Sequence, residues 1–189
     1  MDFSSADTLS IAKTLLGYRL VCTDQNHRLV GKVVETEAYT HQDPACIRIR
    51  KRPAIWNLLC GEAGHLYFHY SYGQPLLNIT TGPQGIAGCI LIRALEPLEG
   101  LEQMKSRRPG KRDRDLTNGP AKLVQALGLN PAWNGLALDP ERCFFLPPDA
   151  PDQSEQASGI TTAQRIGLKE GQELPWRFYL TDNPWVSVC

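Results

Sequence analysis

The sequence predicts an α+β fold in a single domain spanning residues 1–189: a mainly antiparallel, curved sheet with surrounding helices and a protruding β-hairpin. Three observations carry that prediction. Two hairpin signals are legible, one turning at Asp24-Gln25-Asn26-His27 and one at Gly73-Gln74-Pro75, and hairpins build antiparallel sheets. Strand and helix patterns are mixed along the chain while hairpins recur, which favours α+β over a parallel α/β arrangement. A chain of 189 residues is long enough for one well-packed core and short for two. No internal repeat or low-complexity segment interrupts it.

The elements follow in order. Ser5 is placed to cap a first helix with Leu9, Ala12, Leu15 and Leu16 on one face and Gly17 as a left-handed stop. Residues 18–23 read as a strand, and the β-branched run from Arg28 to Tyr39 returns beside it. Residues 40–61 lose regular patterning around Pro44 and Pro53 and read as a long surface loop, a type that is commonly functional or disordered. Residues 65–81 form an aromatic strand, a tight turn and a returning strand, with Tyr72 at the tip. Residues 87–95 are an apolar strand interrupted by Arg93, residues 97–104 a short helix, and the basic stretch after it a loop. Asn118-Gly119-Pro120 opens another helix, with proline in its first turn, apolar positions at Leu123, Ala126 and Leu127, and Gly128 as its stop. Pro147, Pro148 and Pro151 mark a linker-like loop. Thr161 or Thr162 is expected to cap a short helical turn around Arg165, and residues 176–181 close the sheet.

Composition narrows the function classes. Hydrophobic residues make up 42% and charged residues 21%, values of an ordinary soluble domain, and no run approaches the roughly 18 apolar residues of a membrane span. The first residues show neither a basic region nor an apolar signal core, so secretion is not expected. The six cysteines, Cys22, Cys46, Cys60, Cys89, Cys143 and Cys189, contain no CxxC pair. With histidines equally dispersed, neither a metal site nor a cofactor is expected. The cysteines read as small core residues of a reducing compartment. Net charge is zero, with 20 basic and 20 acidic residues. The basic ones cluster, however: four of the five residues from 48 to 52, and Lys105, Arg107, Arg108, Lys111, Arg112 and Arg114. Two such clusters on a neutral chain describe a polarised molecule and raise the prospect of a phosphate-bearing partner.

The strand Val33-Val34-Glu35-Thr36-Glu37-Ala38-Tyr39 holds the most distinctive pattern. Side chains alternate across a strand, so Glu35, Glu37 and Tyr39 share one face. Spacing alone leaves open a solvated edge strand and a face equipped for chemistry. Arg93, inside an apolar strand, demands an acid partner or a polar cleft, since burying an unpaired guanidinium costs several kcal/mol; Glu37 or a ligand would serve. Tyr72, at a hairpin tip, is either exposed or inserted into something. The helix start at 118–120, with Lys122 nearby, can hold a phosphate.

Taken together, Ala12-Lys13-Thr14-Leu15-Leu16-Gly17, Val34-Glu35-Thr36-Glu37-Ala38-Tyr39, Asp43-Pro44-Ala45, Gly64-His65-Leu66-Tyr67, Tyr72-Gly73, Leu91-Ile92-Arg93-Ala94-Leu95-Glu96-Pro97, Thr117-Asn118-Gly119-Pro120 with Lys122-Leu123, and Pro184-Trp185-Val186-Ser187 closely resemble the mammalian-type alkyladenine (3-methyladenine) DNA glycosylases, in the same order and over nearly the whole chain. The resemblance implies a monofunctional base-excision enzyme that flips a damaged purine out of double-stranded DNA and hydrolyses its glycosidic bond without metal, cofactor or lyase activity. It implies a monomer with no membrane partner, cytoplasmic and nucleoid-associated in a bacterium or nuclear in a eukaryote. By this resemblance Glu37 is the general base and Arg93 helps hold the attacking water. Tyr39 is the stacking platform, Tyr72 the intercalating wedge and Asn78 the pocket-gating residue, one position closer to Tyr72 than usual. Arg107, Arg108, Lys111, Thr117, Gly119 and Lys122 are candidates for the DNA backbone, with residues 48–52 as a further set. Glu35 keeps a structural or electrostatic role.

Departures from the family pattern fall on the pocket. Ile47 stands where the family carries a base-binding histidine, His69 where it carries tyrosine, and Arg52-Pro53-Ala54-Ile55-Trp56-Asn57 replaces a threonine and arginine-asparagine pattern. Isoleucine neither donates nor accepts a hydrogen bond. Excision of cationic alkylated purines, which are good leaving groups, is therefore expected to survive better than excision of hypoxanthine. The same departures motivate a rival reading, a damaged-DNA binding protein that has lost catalysis. A hydrolase of free nucleosides would account for Glu37 but leave Tyr72 and both basic stretches unused.

Overall fold

A β-branched run of 13 residues, His27–Tyr39, forms the strand on which the sheet is assembled. This computed structural model describes residues 1–4, 7–24, 27–148 and 159–187. Its strands are β1 (Arg19–Asp24), β2 (His27–Tyr39), β3 (Leu66–Ser71), β4 (Gln74–Thr80), β5 (Cys89–Glu99), β6 (Cys143–Leu146), β7 (Ile160–Ala163) and β8 (Arg177–Leu180), and its helices α1 (Thr8–Thr14), α2 (Pro44–Ile47), α3 (Pro53–Leu59), α4 (Leu101–Arg107) and α5 (Pro120–Leu127). The strands run in the order β3-β4-β5-β2-β1-β6, with β8 pairing both β2 and β7, and every pairing is antiparallel. This is the α+β architecture expected of the sequence.

β2 is central, not a solvated edge. It pairs with β5 along one side, and with β1 and then β8 along the other. Its register against β5 shifts between Val30 and Gly31 and on both sides of Glu35. Each such bulge bends the strand and sharpens its twist, which curls the sheet and lets β8 take over from β1 beside the two glutamates. Gly31 permits the close approach of β5, because a Cβ there would lie 2.9 Å from Leu95 Cβ.

The two faces of the sheet have different jobs. One carries Leu66, Phe68, Leu77, Ile79, Ile90 and Ile92 into the main core, closed by Ile11, Ala12 and Leu15 and by Leu123, Ala126 and Leu127. Helix α1 packs on β2, and α5 lies across β4 and β5 with α4 against it. Fully burying each Leu or Ile contributes about 1.5–3 kcal/mol, so this face supplies the stability. The opposite face carries Tyr67 and Cys89 into a smaller cluster with Cys46, Leu59 and Ala87, against which Tyr39 and Trp56 pack.

Several expectations need correction. Residues 40–61 are not a loop: Asp43 caps α2 through Ala45 N–H, and Pro44 and Pro53 occupy the first turns of α2 and α3. Both prolines start helices, where a missing N–H costs nothing. The helix expected over 97–104 begins later, because β5 runs on through Pro97, opposite Gly31 next to a bulge, to Glu99. A proline is tolerated at such a break in the ladder. Gly100, at φ 79°, then turns the chain into α4. The segment at Thr161 and Thr162 is strand β7, paired to β8, as its β-branched side chains favour. The cap expected of Ser5 and the loop at Pro151 lie outside the described residues, and Asp7 caps α1. Gly128 does end α5 in the left-handed conformation.

Candidate active site

Register fixes the site. Tyr67 on β3 lies opposite Asn78, Asn78 opposite Leu91, Leu91 opposite Glu37, and Glu37 opposite Arg177 on β8. Directly opposed residues of antiparallel strands share a face. A single row therefore crosses five strands on the face away from the main core. By alternation His69, Cys89, Arg93 and Tyr39 stand on this face too.

Glu35 and Glu37 are both fully buried, so the solvated edge strand that spacing left open does not hold here. Their charges are balanced by two nearly buried guanidiniums. Arg93 reaches Glu35 Oε1 through Nε at 3.0 Å and Glu37 Oε1 through Nη1 at 3.1 Å, and Arg177 Nη1 lies 3.0 Å from Glu35 Oε1. Two carboxylates against two guanidiniums leave no net charge, which a buried site requires.

The two acids differ in what else they hold. Glu35 also accepts from Ser187 N–H at 2.8 Å and from Ser187 Oγ at 2.9 Å. It ties β2, β5, β8 and the chain's last described residue together and has the contacts of a structural hub. Glu37 accepts from Ile166 N–H at 2.8 Å through Oε1 and from Tyr39 Oη at 2.7 Å through Oε2. A carboxylate offers about four acceptor positions. With Arg93 and Ile166 on Oε1 and Tyr39 on Oε2, one position on Oε2 is uncommitted among the described residues. Burial, and secondarily the charge and hydrogen bond of Glu37, push the Tyr39 phenol well above its ordinary pKa, so it remains a donor.

Tyr39 is backed by a group that sequence patterning did not single out. The guanidinium of Arg165 is fully buried, 4.7 Å from the Tyr39 ring centre and 5.1 Å from that of Trp176. It makes a two-pronged ion pair with Asp43, including Nη2 to Oδ1 at 2.9 Å, and donates to the carbonyls of Ala38 and Gly171. Asp43 thus caps α2 and anchors Arg165 at once. The following residue, Ile166, supplies the N–H to Glu37.

The remaining pocket candidates divide between the sheet face, which holds His69 and Asn78, and helix α2, which holds Ile47. Ile47 ends α2 and is 41% exposed. His69 is half-buried on β3, its Nδ1 2.9 Å from Tyr67 Oη. Asn78 is buried and spends its amide on the carbonyls of Leu76 and Tyr67, at 3.0 and 3.4 Å. Two open clefts, of about 530 and 370 Å³, flank Phe3 and His41 respectively, and Glu37 lines neither.

Tyr72 sits at the tip of the β3–β4 hairpin, fully exposed, at φ 49° and followed by Gly73 at φ 76°. Two successive positive φ angles make the tight turn whose twist suits a hairpin. A bulky aromatic there is conformationally costly. Tyr70 is exposed beside it.

The basic candidates divide. Arg107 donates to the Ala126 carbonyl at the end of α5, and Arg108 to Asp115 O and the Gln125 side chain. Thr117 is buried, its Oγ donating to Leu95 O at 2.6 Å. Lys111 is exposed, Gly119 precedes α5, and Lys122 Nζ lies 2.8 Å from Asn118 Oδ1. Arg48, Arg50, Lys51 and Arg52 are exposed on the α2–α3 segment, with Arg50 4.9 Å from the Trp56 ring centre. No group of His, Cys, Asp and Glu among the described residues could hold a metal ion. No helix among them is long and apolar enough to cross a membrane.

Comparison with known proteins matches this sequence to one family. A family model described as Methylpurine-DNA glycosylase (MPG) matches residues 2–184. A protein of Gloeobacter violaceus is 46% identical over 188 residues, covering 99% of this chain and 85% of the relative. Relatives from Carboxydothermus hydrogenoformans and Deinococcus radiodurans are 40% and 42% identical, covering 98% and 95% of this chain and 96% and 94% of their own. All three are provisionally named 3-methyladenine DNA glycosylase. With the match spanning nearly the whole chain, this protein belongs to the methylpurine-DNA glycosylase family.

Proposed function

We propose that the protein is a monofunctional DNA glycosylase acting as a monomer on double-stranded DNA. In this reading it flips an alkylated purine from the duplex and hydrolyses its glycosidic bond without metal, cofactor or covalent intermediate. The observation that carries the reading is the carboxylate of Glu37, buried, held on three sides by Arg93, Tyr39 and Ile166 N–H, and left with one open acceptor position.

A water bound at that position gives its proton to Glu37 as its oxygen bonds the anomeric carbon. The C1′–N bond breaks, and the electron pair leaves with the base. Glu37 also offsets the cationic character of the sugar in the transition state, and Arg93 keeps carboxylate and water aligned. Tyr39, stiffened by Arg165 behind it, stacks on the base, with Ile47, His69 and Asn78 as further pocket walls. Glu37 has no exposed surface, so the incoming nucleotide displaces the side chains above it. Tyr72 fills the gap left in the base stack. The DNA backbone meets the Gly119 amide, Lys122 and Lys111, and the exposed arginines of the α2–α3 segment. Thr117 is buried beneath that surface, and the half-buried Arg107 and Arg108, bonded to the Ala126 carbonyl and the Gln125 side chain, flank it.

A cationic alkylpurine leaves as a neutral base, whereas hypoxanthine needs a proton, so alkylpurine release is the faster reaction. Incubation with an alkylated duplex is expected to free the base and leave an intact strand that breaks only on alkali treatment. A borohydride-trapped protein–DNA adduct would contradict the absence of a covalent intermediate. The rival binding-only reading, favoured by the apolar Ile47, predicts lesion binding with no free base.

A further inference from the structure

The pocket face contains one polar side chain that the proposed mechanism leaves idle. Of Tyr39, Tyr67, His69 and Asn78, three are committed: Tyr39 Oη to Glu37, Tyr67 Oη to His69, and the Asn78 amide to main-chain carbonyls. His69 uses only Nδ1, and its Nε2 has no partner among the described residues. His69 is half-buried, on the same sheet face as Tyr39 with β4 and β5 between their strands.

The partner on Nδ1 decides what Nε2 offers. Tyr67 is buried, and no acceptor for its hydroxyl other than His69 Nδ1 lies within reach among the described residues. A buried hydroxyl that accepted from Nδ1–H would leave its own proton without an acceptor, which burial penalises. Tyr67 therefore donates, Nδ1 accepts, and the neutral ring carries its proton on Nε2. Burial raises the Tyr67 phenol above its ordinary pKa. Burial, with the nearby charge of Arg52, lowers that of His69, so both groups are in the required state near neutral pH.

The geometry points to His69 as a specificity-determining residue whose Nε2–H, locked by Tyr67, donates a hydrogen bond to an acceptor on the flipped purine, a carbonyl oxygen or an unprotonated ring nitrogen. The inference rests on the glycosylase reading. It gives this pocket a donor on β3, whereas Ile47 at the end of α2 offers none. A donor to the departing base matters most for a neutral leaving group, which carries developing negative charge, and least for a cationic alkylpurine.

The test is single-turnover base release from duplexes carrying hypoxanthine or an alkylated adenine, by the wild type and by His69→Phe and Tyr67→Phe. His69→Phe keeps an aromatic wall and removes the donor. It is expected to slow hypoxanthine release about tenfold or more relative to alkyladenine release. Tyr67→Phe frees the tautomer and is expected to shift the ratio the same way by a smaller factor. Because each variant is read as a ratio of two substrates, a loss of folded protein cancels. An unchanged ratio in His69→Phe overturns the inference while the glycosylase reading stands. So does a wild type that releases alkyladenine and no hypoxanthine. A wild type that releases neither base overturns both.

Discussion

At the scale of single residues, the chemistry turns on differences between groups that look alike in the sequence. Glu35 and Glu37 share a face and a partner in Arg93, yet Glu35 holds four contacts, with Arg93, Arg177 and Ser187 twice, while Glu37 holds three, with Arg93, Ile166 N–H and Tyr39. The alternation of a strand revealed that the two acids point together; it could not reveal which would take more partners, because Arg177 and Ser187 lie more than 140 residues away. Arg93 was legible as a guanidinium in need of an acid. Arg165 was not, since an arginine between Gln164 and Ile166 carries no local sign of burial. Tyr72 makes a sharper case. Its exposed, positive-φ position at the hairpin tip is costly for an isolated chain and useful for insertion into a base stack. Tyr72→Ala is therefore expected to weaken binding to a lesion-containing duplex by about 1–3 kcal/mol without changing the single-turnover rate at saturating protein. Titration of duplex binding checks the first, and rate against protein concentration the second.

At the scale of elements, the pocket is assembled by one buried ion pair. Asp43 starts α2, Arg165 lies beyond β7, and between them they clamp the back of Tyr39 and position the Ile166 N–H that reaches Glu37. Removing one partner of a fully buried pair leaves the other uncompensated, at roughly 3–5 kcal/mol. Arg165→Met is expected to lose about that much stability in denaturant unfolding, whereas an exposed pair such as Arg48 with Glu170 should cost under about 1 kcal/mol when broken. Equal losses would show that Arg165 is not the clamp. Strands β1 to β4, β8 and α5 were readable because alternation, hairpin turns and the Gly119-Pro120 and Gly128 boundaries are local signals, whereas β6 and β7 are short strands seen only through their pairing with β1 and β8. The α2–α3 segment was misread because Pro44 and Pro53 suggest a broken chain. The Asp43-Pro44 step, a cap followed by an N-terminal proline, held the opposite message. The extension of β5 through Pro97 was hidden because only its pairing with Gly31 makes it a strand.

At the scale of the whole molecule, a chain of zero net charge is proposed to hold a polyanion, so the charges must be segregated. Several basic side chains are spent on the fold itself: Arg93, Arg165 and Arg177 on buried acids, and the half-buried Arg107 and Arg108 on the end of α5 and its neighbours. Seven exposed ones gather on the α2–α3 segment (Arg48, Arg50, Lys51, Arg52) and at Lys111, Arg112 and Arg114, and a subset of these is proposed to meet phosphates. Duplex affinity is accordingly expected to fall with salt at a log–log slope on the order of −4, the counterion release of four or five phosphate contacts. A slope near zero would speak for free nucleosides as substrates. The central claim is that Glu37, the buried acid with an open acceptor position, activates the water that removes the base. It is tested most directly by single-turnover release of an alkylated adenine from duplex DNA by the wild type and Glu37→Gln. The account predicts that Glu37→Gln binds the lesion duplex as tightly as the wild type and releases base at least about 100-fold more slowly; release at the wild-type rate would contradict it.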